Sequence, residues 1–117
     1  MLFRSYDSVG YYGSAGWFTV GGTSAGAPQW GALAAIVNSM RVAARKQVMG
    51  ATYTSTLNYL LYLLGAPSNY ANNYQDITSG TNGSCGALCT AAPNYDYVTG
   101  LGTPNADALI SSLVAQP

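Results

Sequence analysis

Gly21-Gly22-Thr23-Ser24-Ala25-Gly26-Ala27-Pro28 is the segment on which the architecture of this chain turns. Before it stands Trp17-Phe18-Thr19-Val20, a β-favouring run that predicts a strand. After it comes an Ala-rich stretch that predicts a long helix from about Ala25 to Lys46, with Pro28 tolerable only in the first turn. Small residues between a strand and a helix let the backbone turn sharply and let a ligand approach closely. The first N–H groups of a helix point at whatever lies there and favour negative charge. A serine at such a turn can attack a carbonyl while its own N–H helps hold the oxyanion. The simpler alternative is that Ser24 caps the helix. The helix is apolar almost all round through Val37, so burial on most of its surface is expected.

Outward from this segment, residues 1–16 are rich in Gly, Ser and Tyr, and they read as a short strand or loop with turns at Gly10, Gly13 and Gly16. Downstream, Thr54 or Ser55 is expected to cap a second helix, Thr56–Leu64, that stops at Gly65-Ala66-Pro67. Leu57, Leu60, Leu61 and Leu64 share one face of it and belong to the core. Residues 65–103 form a long irregular stretch dense in Asn, Gly, Ser, Thr and Tyr. A loop of that length in a compact domain is usually functional or organised by a metal. Thr103-Pro104 reads as a cap and first residue of a last helix over Asn105–Val114, with Ala106, Leu109, Ile110 and Leu113 inward. Internal repeats and heptads are absent.

The 117 residues include four Lys+Arg, four Asp+Glu and no His, so the formal charge is zero. Only 7% are charged, against about 25% in an ordinary soluble domain. The lack of His excludes a Ser-His-Asp or Cys-His machine within this chain, His-ligated zinc, and an HExxH metalloprotease. The four acids are Asp7, Asp76, Asp96 and Asp107. Zero net charge speaks against a nucleic-acid partner. The basic cluster Arg41, Arg45 and Lys46 suits the C-terminal end of the long helix. No apolar run approaches the roughly 20 residues of a membrane span, and Met1-Leu2-Phe3-Arg4 lacks the apolar core of a signal peptide. Cys85 and Cys89 are too few for a zinc site and suggest a short disulfide formed in an oxidising compartment, with free thiols as the alternative. Asn82-Gly83-Ser84 spells an N-glycosylation sequon.

Three chemistries compete for Gly22-Thr23-Ser24-Ala25-Gly26. The letters match the nucleophile elbow of α/β-hydrolases, but there the acid and the His follow the serine, and no His follows Ser24. A phosphate loop would need a Lys-Ser/Thr pair or dinucleotide spacing, and neither is present. The third is a peptidase nucleophile. Gly-Thr-Ser-Ala-x-x-Pro opening an Ala-rich helix resembles the serine motif of the subtilisin and sedolisin superfamily, whose catalytic partners lie upstream of the serine.

Two further segments choose the branch. Asp76-Ile77-Thr78-Ser79-Gly80 is followed by Ala91-Ala92-Pro93-Asn94-Tyr95-Asp96-Tyr97-Val98-Thr99-Gly100-Leu101-Gly102-Thr103-Pro104. Calcium takes six to eight oxygens, many from backbone carbonyls, and two aspartates in Gly/Asn-rich loops are a possible charge source. The pattern resembles the C-terminal calcium loop of the sedolisins, the serine-carboxyl peptidases, with its Asp-Ile-Thr-x-Gly and Gly-Trp-Asp-x-x-Thr-Gly-Leu-Gly-x-Pro phrases. The resemblance implies one Ca2+ ion held by the Asp76 and Asp96 carboxylates and the carbonyls of Ile77, Ala92 and Asn94. Ala92 and Asn94 replace common family glycines, and Tyr95 stands for the usual Trp. If the loop requires positive φ, Asn tolerates it better than Ala.

The resemblance runs from Tyr6-Asp7-Ser8 to Leu113. It implies an α/β fold: the C-terminal portion of a subtilisin-like parallel-sheet catalytic domain, with a buried helix after the serine and a long calcium-type loop. Residues 1–117 would be one C-terminal fragment of that domain. It implies an acid-acting serine endopeptidase with Ser24 as nucleophile. A Glu base, its orienting Asp and an oxyanion Asp would come from a missing N-terminal half, because this chain contains no Glu. The chain alone is therefore expected to be inactive. Its substrate would be a peptide or protein, with neither nucleic acid nor membrane as partner, and its location secreted, by an export signal outside these residues. The alternative is a non-catalytic remnant or a calcium-stabilised binding module.

Overall fold

The computed structural model describes residues 2–11 and 13–117, with backbone alone at residues 2–5, 7–11, 14 and 20. The chain forms two compact units, one through Leu33 and one from Ala34 to Pro117.

The first unit holds a hairpin of β1 (Leu2–Tyr11) and β2 (Ser14–Gly21), paired antiparallel from Leu2↔Gly21 to Asp7↔Gly16, with an irregularity before Tyr11↔Ser14. The predicted strand at residues 17–20 thus extends in both directions, and what read as a short strand or loop is a ten-residue strand. Backbone pairing fixes both lengths: each strand continues while its partner supplies donors and acceptors. Tyr6 faces Trp17 across the ladder in an edge contact at 5.4 Å, with both side chains exposed.

Helix α1 (Thr23–Ala43) starts two residues before the expected Ala25 and ends before Lys46. Pro28 therefore stands at its sixth residue, beyond the first turn, where it lacks the N–H that would bond the Ser24 carbonyl. At the other end Arg45 turns left-handed, at φ 57°. The Lys46 N–H bonds the Arg41 carbonyl at 2.8 Å and the Arg45 N–H bonds that of Val42 at 2.9 Å. These two bonds make a Schellman stop with arginine in the usual glycine place.

The expected burial of α1 does not occur. Only Val37 and Arg41 are buried, while Ile36, Met40 and Val42 are exposed. Apolarity all round a helix hides it only if neighbours cover every side.

In the second unit, a 3-10 turn (Tyr53–Ser55) precedes α2 (Leu57–Leu64). Thr56, rather than Thr54 or Ser55, caps α2, its hydroxyl accepting from the Tyr59 N–H at 3.4 Å. Leu60 and Leu64 are buried and Leu57 and Leu61 half-buried, as the spacing predicts. The one-turn α3 (Tyr70–Asn73) runs into β3 (Tyr74–Gln75), which pairs antiparallel with β4 (Thr103–Pro104). Thr103-Pro104 is thus strand, and α4 (Ala106–Ala115) starts later, after Asn105. Asn105 is tied down by its N–H to the Asn73 carbonyl (2.8 Å) and its amide to that of Asn72 (3.2 Å). Leu109 and Leu113 of α4 join Val37, Leu60, Leu64, Tyr70, Tyr74 and Ala91 in the core. Ala106, expected inward, is exposed.

The fold is a mixture of helix and strand, α/β in the broad sense. Both sheets among the described residues are two-stranded and antiparallel.

Two of the three basic residues, Arg41 and Lys46, serve a different helix from the expected one. The Arg41 guanidinium is fully buried and donates to the carbonyls of Gln47 (2.6 Å), Leu113 (3.0 Å), Gln116 (3.0 Å) and Pro117 (2.7 Å). The Lys46 ammonium donates to Val114, Ala115 and Gln116 at 2.9–3.0 Å, and the Gln116 amide to Ser112 at 3.2 Å. The last four carbonyls of a helix have no intrahelical donor. Here Ser112, Leu113, Val114 and Ala115 each receive one from a side chain.

Removing the guanidinium takes the donor from the buried Leu113 carbonyl and from the part-buried carbonyls of Gln47 and Pro117. Arg41→Ala is expected to cost about 3 kcal/mol in denaturant unfolding, and Arg41→Lys to recover only part of it, because an ammonium cannot fork. A midpoint equal to that of the parent chain would refute this role.

Candidate functional site

The sequence places two groups of candidate residues, Ser24 in the first unit and the aspartate loops in the second. Ser24 is exposed in the first turn of α1. It does not cap the helix, because Gly22 precedes the first helical residue and its carbonyl accepts from the Ala25 N–H at 3.1 Å. The Ser24 hydroxyl has no hydrogen-bond partner among the described residues. Pro28 removes the usual donor to the Ser24 carbonyl. Ser24 thus stands exposed at the N-terminal end of a helix. Asp7 lies in β1, with only its backbone described. Asp107 is exposed in the first turn of α4, where a carboxylate complements the dipole.

The other two aspartates lie in the second unit, both near Tyr70. Asp96 is buried and accepts four hydrogen bonds. Its Oδ1 takes the N–H groups of Val98 and Thr99, both at 2.7 Å. Its Oδ2 takes the Ala92 N–H at 3.0 Å and the Thr99 hydroxyl at 2.9 Å. These donors, the Ala92 and Thr99 N–H groups foremost, hold the Asp96 carboxyl down at about 2, against its ordinary 3.8. Asp76 reaches across the loop. Its Oδ2 accepts the Asn94 N–H at 2.6 Å and its Oδ1 the Tyr70 hydroxyl at 3.0 Å. Asn94 sits at φ 68°, a conformation Asn adopts more readily than other side chains. The Tyr70 hydroxyl also faces the Leu101 carbonyl at 3.2 Å. Burial, the bond to Asp76 and the charges of Asp76 and Asp96 push Tyr70 up to about 12. It therefore stays a donor at any ordinary pH.

The segment Gly100-Leu101-Gly102 locks this corner. Gly102, at φ 77°, lies so close to the Gln75 carbonyl that a Cβ there would collide with backbone. Leu101 packs over Gly65 at the end of α2. The spacing Asp-x-x-Thr signals that an Asp carboxyl binds the amides just ahead of it, so the Thr99 contacts were readable. Nothing in the sequence points to Tyr70 as the partner of Asp76.

A hard cation needs oxygens, and this corner supplies some. Among the described residues the carbonyls of Ile77, Ala92 and Asn94 accept no hydrogen bond, and Asp76 keeps half its acceptor capacity. Asp96 is saturated by its four donors and would have to release one to bind a metal. No group of three or more His, Cys, Asp or Glu side chains with metal-binding geometry occurs among the described residues. Two carboxylates and three carbonyls are oxygen donors of the kind calcium takes, but it is the N–H groups of Ala92 and Asn94 that face the aspartates in this fold.

Cys85 and Cys89 form a disulfide, with Cα atoms 5.3 Å apart. It closes a loop whose base is the Thr81↔Thr90 bridge.

No family model and no solved structure matches the chain. Curated relatives do, and they are peptidases. Tripeptidyl-peptidase sed1 of Aspergillus fumigatus is 37% identical over 99 residues, covering 84% of this chain and 14% of the relative. Tripeptidyl-peptidase SED4 of Arthroderma otae is 36% identical over 112 residues, covering 83% and 17%. Human tripeptidyl-peptidase 1 is 32% identical over 101 residues, covering 81% and 16%. The chain belongs to the sedolisin family of peptidases. It spans 14–17% of the length of these relatives.

A carboxylate whose folded value is depressed supports the fold at pH above its unfolded value and loses that support as pH falls through the folded one. Stability owed to Asp96 is thus complete above about pH 4 and drains toward about pH 2. Asp96→Asn should lower the thermal midpoint at neutral pH and flatten its decline over that acid window. Parallel acid limbs for parent and variant would show that Asp96 does not organise the loop.

Proposed function

We propose that the chain is the C-terminal portion of a subtilisin-like parallel-sheet catalytic domain and supplies the nucleophile of an acid-acting serine-carboxyl peptidase. The observation that carries this is Ser24, an exposed serine with an unbound hydroxyl in the first turn of α1, in a chain of this family. Its Oγ would attack a peptide carbonyl, and its N–H would meet the developing oxyanion. The proton would pass to a carboxylate contributed from outside these residues, since no Glu is present. A carboxylate still works as a base in acid, whereas a His of ordinary pKa about 6.5 would be protonated there. The relatives are called tripeptidyl-peptidases. That favours release of tripeptides over the internal cleavage expected from the sequence. Substrates would be peptides or proteins met outside the cell, consistent with the Cys85–Cys89 disulfide.

The aspartate corner would hold one Ca2+ through Asp76, Asp96 and the carbonyls of Ile77, Ala92 and Asn94. The ion would supply charge neutralisation and rigidity to the loop. A non-catalytic remnant or calcium-stabilised binding module is the second reading.

Two measurements test these statements. In a peptide-cleavage assay at acid pH the chain alone is expected to show no turnover that Ser24→Ala removes; serine-dependent turnover would defeat the dependence on an outside carboxylate. Calcium at a hundredfold excess over Kd should add about 2.7 kcal/mol of stability, seen as a raised melting temperature. Asp76→Ala should abolish the rise, and a parent chain indifferent to calcium would remove the ion from the proposal.

A further inference from the structure

We infer that Asn82 is an acceptor for an N-linked glycan, and that the loop from Thr81 to Thr90 therefore stays open to solvent in the mature protein. The sequon Asn82-Gly83-Ser84 has no proline in its middle, and the fold presents it well. All three residues are exposed. Among the described residues neither the Asn82 side-chain amide nor the Ser84 hydroxyl makes a hydrogen bond, so both groups a transferase must engage are unoccupied. Gly83 turns the backbone at φ 139°, a conformation that side chains rarely adopt.

The base of the loop is firm. The Asn82 N–H donates to the Cys89 carbonyl at 2.8 Å and the Ala91 N–H to that of Gly80 at 2.9 Å, while the disulfide ties Cys85 to Cys89. A bonded cystine belongs to the oxidising compartments in which such transfer occurs, and the relatives named above are eukaryotic. None of this depends on the peptidase reading.

The co-substrate is an oligosaccharide carried on a lipid diphosphate. The Asn82 Nδ2 forms a bond to the anomeric carbon and gives one proton to the transferase. The bond from that carbon to the diphosphate oxygen breaks, and its electron pair leaves with the lipid diphosphate. No oxidant or reductant is involved.

The test is cell-free translation of the full chain behind a cleavable signal peptide, with endoplasmic-reticulum microsomes. The protease-protected product should run one glycan larger, return to the unmodified position after peptide N-glycosidase, and show no shift as Asn82→Gln or as Ser84→Ala. Protease protection reports translocation whether or not a variant folds. A protected parent chain with no glycan overturns the inference, as does a shift that survives both substitutions.

Discussion

Backbone amides in an irregular stretch need acceptors that a ladder or helix would otherwise supply. In residues 65–103 two carboxylates provide them. Asp96 gathers the N–H groups of Ala92, Val98 and Thr99, and Asp76 takes that of Asn94. Much of the second unit depends on this arrangement. The turn it forms sets Leu101 over Gly65 and Gly102 against Gln75. From there the chain enters β4, whose pairing with β3 delivers Asn105 to the end of α3 and starts α4. The Asp76–Asn94 bond joins segments 18 residues apart, and the four donors around the buried Asp96 carboxyl offset the cost of its burial.

Helix α1 has two ends with different chemistry. Its first turn offers the exposed Ser24, and Pro28 denies the serine carbonyl its usual donor. Arg41, near its other end, is buried and takes up the Leu113 carbonyl in the last turn of α4 and those of Gln116 and Pro117 just beyond it. Between the two, apolar residues such as Ile36 and Met40 remain exposed. A helix so apolar is suited to burial by further layers, and the relatives are six to seven times as long as the part of them that this chain spans.

The parts of the fold legible in advance were those with local causes. The leucine spacing of α2 placed Leu60 and Leu64 in the core, and the turn-rich composition marked the long loop. Boundaries were less legible, because competing partners decide them. Thr56 won the cap of α2 over Thr54 and Ser55, which a 3-10 turn consumed. Thr103-Pro104 has the letters of a helix start, yet a strand partner at Tyr74–Gln75 claims it. Arg41, Arg45 and Lys46 were assigned to their own helix terminus by proximity in sequence, although two of them reach carbonyls some 70 residues away.

The sequence by itself determined the family, through two motifs whose order and residue types survive without any knowledge of packing. It also excluded histidine chemistry carried by these 117 residues themselves, because a missing residue type cannot be restored by folding. Only the tertiary structure decided that Ser24 is free rather than a cap, that Asp96 spends its whole acceptor capacity on four donors, and that Tyr70 is the partner of Asp76. Each of these depends on which distant group arrives first at a polar atom. That is a matter of geometry between segments, and neighbouring residues in the sequence do not encode it.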